Sequence, residues 1–140
     1  MIPEINDVRK VSCVMADPEG FESVVKELMA MFDREVYDCI IASGQYGQVL
    51  GGVLADKMKS GIVVADDSNS FCKKALKAGW KVVIVTDKFE DGKKELELIQ
   101  AVEGCGCKVI RVGFVAELTA CGGRKSKILK KYPYEAIFTI

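Results

Sequence analysis

Apolar and polar positions alternate along this chain in blocks, and the blocks change period in a regular order. Asp17-Pro18 caps and opens a helix, with Pro at the first helical position, where its missing N–H is not needed. Phe21, Val24, Val25, Leu28, Met31 and Phe32 then recur at helical spacing. Tyr37 to Ala42 reads as a buried strand, followed by the glycine-bearing loop Ser43-Gly44-Gln45-Tyr46-Gly47 and a helix from about Gln48 to Lys59. Ile62 to Ala65 is a second strand, Asp66 to Ser70 a turn or cap, and Phe71 to Ala78 a short helix stopped by Gly79. Lys81 to Val85 is a third strand, and a helix runs from about Gly92 to Glu103. Cys107 to Val115 and Glu135 to Ile140 complete the strands. Strands separated by helices predict an open, mainly parallel sheet with helices on both faces, wound right-handedly.

Composition narrows the class. The chain has 140 residues, expected to form one domain over 1–140. With 49% hydrophobic and 29% charged residues it belongs with globular proteins. A formal net charge of +0 gives no global pull toward nucleic acid or a membrane. No apolar run is long enough for a membrane span and no signal-peptide pattern opens the chain, so the expected location is the cytoplasm. There are six cysteines and no His. Cys105-Gly106-Cys107 is spaced too closely for a zinc knuckle, so free thiols and no bound metal are expected. Lys125, Lys127, Lys130 and Lys131 lie near Tyr132, but in a neutral chain they read as a solvated face, which makes nucleic acid an unlikely partner.

Chemistry falls at two loops, each outside the carboxyl end of a strand, where open α/β proteins hold small ligands. Ser43 to Gly47 exposes backbone N–H groups at a helix start, which could hold an anion or be an ordinary tight turn. Val82-Val83-Ile84-Val85 runs out into Thr86-Asp87-Lys88-Phe89-Glu90-Asp91-Gly92-Lys93-Lys94. Asp87 at the strand tip could accept sugar hydroxyls or hold Mg²⁺, or be a solvated carboxylate. Asp91 could cap the next helix. Phe89 could stack on a base or pack back onto the sheet.

Together these segments resemble the type I phosphoribosyltransferase family, in particular its adenine and xanthine branch. In that family a strand ends in two acids that hold the ribose of phosphoribosyl pyrophosphate, and a Thr-Gly-Gly-Thr loop cradles its phosphate. Thr86-Asp87 stands at the acidic pair, and Glu90-Asp91-Gly92-Lys93-Lys94 stands at the phosphate loop. Ala42 to Gly51 resembles the pyrophosphate loop and its helix. Val109 to Leu118, followed by Gly122-Gly123-Arg124-Lys125, is similar to the next strand and the Gly-Gly-Arg behind it. The resemblance implies a phosphoribosyltransferase-like fold, a small nucleotide or nucleobase ligand, a homodimer, and Mg²⁺ if the chain is active. It also marks departures. Thr86 replaces an acid, Asp91 a phosphate-donating threonine and Tyr46 an arginine, and Asp66-Asp67 stands where the family is basic. A degenerate phosphoribosyl pyrophosphate site on a non-catalytic homologue is therefore the leading expectation. An active purine phosphoribosyltransferase with an atypical site, and a nucleotide-binding protein with unrelated chemistry, stay open beside it.

Overall fold

The computed structural model describes residues 2–140. Its elements run α1 (Lys10–Ala16), α2 (Pro18–Phe32), β1 (Cys39–Ala42), α3 (Gln45–Met58), β2 (Gly61–Val64), α4 (Phe71–Ala75), β3 (Lys81–Phe89), α5 (Lys93–Gly104), β4 (Lys108–Glu117), a 3₁₀ turn over Thr119–Cys121, α6 (Gly123–Ser126) and β5 (Tyr134–Thr139). The five strands form one sheet in the order β2-β1-β3-β4-β5, and every pairing is parallel.

Parallel strands buried on both faces need apolar side chains at every position, not at alternate ones. β1 is Cys39-Ile40-Ile41-Ala42, buried throughout. Cys39 and Ile41 join Val82 and Ile84 in a core roofed by Phe71, Leu98, Ile99 and Val102 of α4 and α5. Ile40 joins Val83 and Val85 on the opposite face, under Val11, Leu28, Phe32, Leu50 and Leu54 of α1, α2 and α3. Helices therefore cover both faces, as the alternation predicts. Among the described residues no helix is long and apolar enough to cross a membrane.

Several bounds shift from the sequence expectation, α4 stopping at Ala75 where the pattern runs to Ala78, and two departures are larger. β3 continues four residues past Val85, through Thr86-Asp87-Lys88-Phe89. Lys88 and Phe89 still pair with Ala116 and Glu117 of β4, so ladder bonds extend a strand whose polar residues suggest a loop. The helix α1 was not expected. It buries Val11 beside α2, and its Ser12 hydroxyl shares a hydrogen bond with the Tyr46 hydroxyl at the start of α3. The lysine-bearing segment after β4 forms only the short α6 and turns, with Lys125, Lys127, Lys130 and Lys131 exposed.

The strand order places one crevice. β1 and β3 are neighbours, but the chain leaves β1 toward β2 and leaves β3 toward β4, on the other side. Their carboxyl ends therefore open a gap at a topological switch point.

Candidate functional site

The two loops of interest meet in that gap. The Ser43 N–H donates to the Val85 carbonyl at 2.9 Å, which fixes the loop after β1 against the β3 backbone. α3 begins at Gln45, three residues earlier than its pattern suggests, so Tyr46 and Gly47 lie in its first turn. Gly44 stands before that turn with φ of 76°, and a Cβ there would sit 2.6 Å from the Asp87 carboxyl carbon. Only glycine allows both the conformation and the approach. Gly47 lies equally close, since a Cβ on it would meet the Val85 carbonyl oxygen at 2.8 Å.

Asp87 uses this closeness. Its Oδ1 accepts the Gly47 N–H at 2.6 Å. A helix start presents unsatisfied N–H groups and a partial positive charge, which is what an anion seeks. At α3 one of those N–H groups is held by a carboxylate of the chain itself. α5 repeats the arrangement: Gly92 precedes it, and the Lys93 N–H donates to Asp91 Oδ1 at 3.0 Å. The N-cap of α5 is Gly92, so Asp91 is not the cap; it stands one residue before it and holds the first helical N–H.

Two adjoining cavities fill the gap, of about 340 and 400 Å³. The smaller brings together Ser43, Gly44, Gln45, Thr86, Asp87, Glu90, Asp91 and Lys94 from the two loops. Tyr46, Gly47, Gly92 and Lys93 do not line either cavity. Thr86 is a buried strand residue, 4% exposed. Phe89 points away from the gap into the core, stacked on Phe114 with ring centroids 4.8 Å apart. The larger cavity extends over Gln48, Asp66, Asp67, Asn69 and Glu97. Two hydroxyls, of Ser68 and Ser70, donate to the Asp66 carboxylate and hold its pKa below the ordinary carboxylate range.

Glu95 is the residue that sequence reasoning missed. It lines both cavities yet is only 8% exposed. Its signal was present: Glu95, Leu98, Ile99 and Val102 form the buried stripe of α5, and an acid begins it. Burial pushes its carboxyl up to about 7, opposed by its own backbone N–H and by Lys94 and reinforced by Asp91 and Glu90. A carboxyl whose folded pKa lies above its ordinary 4.5 makes the folded state hold an extra proton between those values. Its favourable share of stability is complete below pH 4.5 and is lost as pH rises through about 7, by about 3 kcal/mol at most. Glu95→Gln is therefore expected to be more stable than the parent at about pH 8, by about 1–3 kcal/mol. Denaturant melts across pH check this; equal slopes for parent and variant between about pH 5 and pH 7 would rule it out.

The cysteines lie apart from this chemistry. Cys39, Cys72 and Cys107 are buried free thiols whose pKa values burial raises, Cys72 to about 11, so they are poor nucleophiles. One Asp87 oxygen is already engaged by Gly47, and among the described residues no three acids or thiols converge, so the chain offers no all-protein cage for a metal ion.

No family model matches the chain. In sequence it is similar to the adenine phosphoribosyltransferase of Cereibacter sphaeroides, 26% identical over 137 residues that cover 84% of this chain and 77% of that protein. It is 27% identical to the adenine phosphoribosyltransferase of a Jannaschia species, over 92% of this chain and 83% of that one. In structure it matches the adenine phosphoribosyltransferase of Thermoanaerobacter pseudethanolicus with a TM-score of 0.82 and 24% identity, over 100% of this chain and 96% of that chain. The enzyme of Giardia lamblia, solved with 9-deazaadenine, gives a TM-score of 0.81 at 19% identity, over 92% of this chain and 84% of that chain.

Proposed function

We propose that this chain, similar to adenine phosphoribosyltransferases in sequence and fold, holds a small, nucleobase-like ligand in its crevice without binding phosphoribosyl pyrophosphate or transferring its ribosyl group. One observation carries the reading. The Asp87 carboxylate accepts the Gly47 N–H at the start of α3, so a negative charge of the chain itself already stands at the helix start that an incoming pyrophosphate would approach.

The second loop supports it. Asp91 holds the Lys93 N–H, so a phosphate at the α5 start would have to displace a carboxylate and then lie beside it. Two like charges about 4 Å apart repel by roughly 4 kcal/mol near a surface. Lys88 and Lys94 line the cavity and offset part of this, but Glu90 and Asp87 add to it. Thr86 supplies no second carboxylate for ribose. What the crevice does offer is neutral hydrogen-bonding groups suited to a base edge, from Ser43, Gln45, Gln48 and Asn69.

The rival reading, an active purine phosphoribosyltransferase, draws on the names of the sequence relatives and on Asp87 still standing at the β3 tip. Calorimetry with phosphoribosyl pyrophosphate and Mg²⁺, with transfer assays on adenine, guanine, hypoxanthine, xanthine, uracil and orotate, separates the two. We expect weak or no binding and no turnover. Turnover of any of those bases that Asp87→Ala abolishes would establish the rival.

Self-association belongs to the same proposal. Val49 of α3 and Ile62 and Val64 of the edge strand β2 are exposed apolar residues, and Tyr46 lies one turn from Val49. A homodimer through this side of the crevice would cover them. Light scattering at micromolar concentration is expected to give twice the 15.3 kDa chain mass, and a monomer would refute the dimer.

A further inference from the structure

We propose that Cys72 and Cys105 form a thiol pair that a peroxide oxidises to a disulfide, and that this bond fastens the wall of the crevice formed by the turn after β2. The inference concerns the thiols and that wall, and it holds whatever the crevice binds.

The sequence spreads these cysteines and the fold gathers them. Cys72 comes from α4, and Cys105 and Cys107 come from the turn between α5 and β4. Cys72 and Cys107 are buried on one face of the sheet, and the half-buried Cys105 packs against the same cluster. The Cys107 thiol donates to the Lys77 carbonyl at 3.2 Å and is engaged there. The Cys72 thiol instead lies against that of Cys105, close enough for the two to share a hydrogen bond. Two thiols in contact from separate segments are placed to close a disulfide, and the short, solvent-facing α4 can supply the small further approach that the bond needs. A Cys105–Cys107 bond would span Gly106 alone and would be strained.

Access divides the roles. Cys105 is the more exposed of the pair, and a peroxide is small and uncharged, so it can reach a half-buried sulfur. That sulfur attacks one peroxide oxygen and the O–O bond breaks. The departing hydroxide takes up the thiol proton as water, leaving a sulfenic acid on Cys105. Cys72 does not react on its own, because burial first, and then the neighbouring Cys105 sulfur, push its thiol up to about 11. Once oxidised, Cys105 carries no charge, and its like-charge share of that rise is gone. The Cys72 sulfur then attacks the sulfenic sulfur, an S–S bond forms, and hydroxide leaves with the Cys72 proton as a second water. The two thiols give up two electrons, and the peroxide accepts them.

The bond acts on the crevice because α4 hangs from its wall. The Cys72 N–H donates to the Asn69 carbonyl at 3.4 Å, and the Ser70 N–H and hydroxyl both donate to the Asp66 carboxylate. Asp66, Asp67 and Asn69 line the larger cavity. α4 has five residues, too few to hold as a helix by itself, and it buries only Phe71 and Cys72. An element so lightly held opens locally at little expense. Tying Cys72 to the end of α5 restrains it, and with it the turn that walls the cavity.

The test treats the whole protein with hydrogen peroxide, in a form carrying Cys13→Ser and Cys121→Ser so that the two exposed thiols cannot join chains together. We expect the mass to fall by two hydrogens and a tryptic fragment to appear that joins Ser60–Lys73 to Glu95–Lys108, both reversed by dithiothreitol. Fragmentation of that linked peptide is expected to place the bond at Cys105. Oxidation is expected to raise the melting temperature by about 5–10 °C, since the bond closes a long loop. It is also expected to slow hydrogen exchange of the amides of 66–72 at least about tenfold. The link is expected to vanish in Cys105→Ser and to persist in Cys107→Ser, with thermal melts of the reduced variants showing that each is folded. Failure to form an intramolecular disulfide overturns the proposal, as does a bond located at Cys107 or one that Cys105→Ser leaves in place. A Cys72–Cys105 bond that leaves exchange over 66–72 unchanged overturns its action on the crevice wall.

Discussion

Phe89→Ala is expected to lower the unfolding free energy by about 3–5 kcal/mol, the largest loss from any single truncation near the crevice. The side chain is 1% exposed. Its ring stacks on Phe114 at an interplanar angle of 17° and meets Tyr134 edge-on with centroids 5.0 Å apart. Leu129 and Ile128 pack into the same cluster, so the void left by truncation would be walled by three separate segments and could not easily collapse. The backbone shares the consequence. The Phe89 carbonyl accepts the Leu118 N–H at 2.9 Å, and one residue later the Glu90 carbonyl accepts from Gly123. Phe89 therefore pins the β3 tip beneath the segment that follows β4, and so sets where Asp87, Glu90 and Asp91 stand. Urea unfolding with an unchanged m-value checks the prediction. A loss below about 1 kcal/mol would mean that the ring is not an anchor, and would reopen its role as a base-stacking group.

Much of this arrangement is legible in the sequence. The change of period from strand to helix announces the parallel sheet, and Asp17-Pro18 announces α2, where Asp17 does accept the Gly20 N–H. The placing of the two loops side by side follows from strand order at a switch point, and the Gly47–Asp87 hydrogen bond realises it. That bond itself joins residues 40 apart in the chain. Local patterning has no access to such a contact, so Asp87 reads as a free strand-tip carboxylate until the fold brings it to α3. Thr86, Asp87 and Lys88 look like loop residues, so the sequence pattern ends β3 at Val85. Their pairing is decided by the neighbouring strand β4, which runs equally far. α1 escaped for another reason: seven residues give barely two turns, and its one buried residue, Val11, carries too little periodicity. Glu95 was visible as an acid in an apolar stripe. Its meaning came only from the crevice above it.

Restoring phosphate binding is the change of largest expected effect on function. As a proposal, Asp91→Thr with Lys93→Gly should bind phosphoribosyl pyrophosphate at least about tenfold more tightly than the parent, because a carboxylate about 4 Å from the phosphate repels it by several times the 1.4 kcal/mol that tenfold requires. The two substitutions act differently. Asp91→Thr keeps an oxygen able to accept the Lys93 N–H that Asp91 now holds at 3.0 Å, so that contact survives while its charge goes. Lys93→Gly removes an exposed side chain from the first helical residue and lets a phosphate approach the backbone, at a cost of about 1 kcal/mol in helix stability. Thr86→Asp would add the second ribose contact, but Thr86 is 4% exposed, and a carboxylate buried there loses hydration. It should therefore lower the melting temperature and help binding only on the background of the other two. Binding measured by calorimetry with Mg²⁺, alongside thermal melts, separates these effects. Should the double variant stay folded and bind phosphoribosyl pyrophosphate no better than the parent, charge at the α5 start would not be what closes the site. The Asp87–Gly47 contact at α3 would then be the barrier, and Asp87→Asn, which removes that charge while keeping an oxygen for the Gly47 N–H, would be the variant that restores binding.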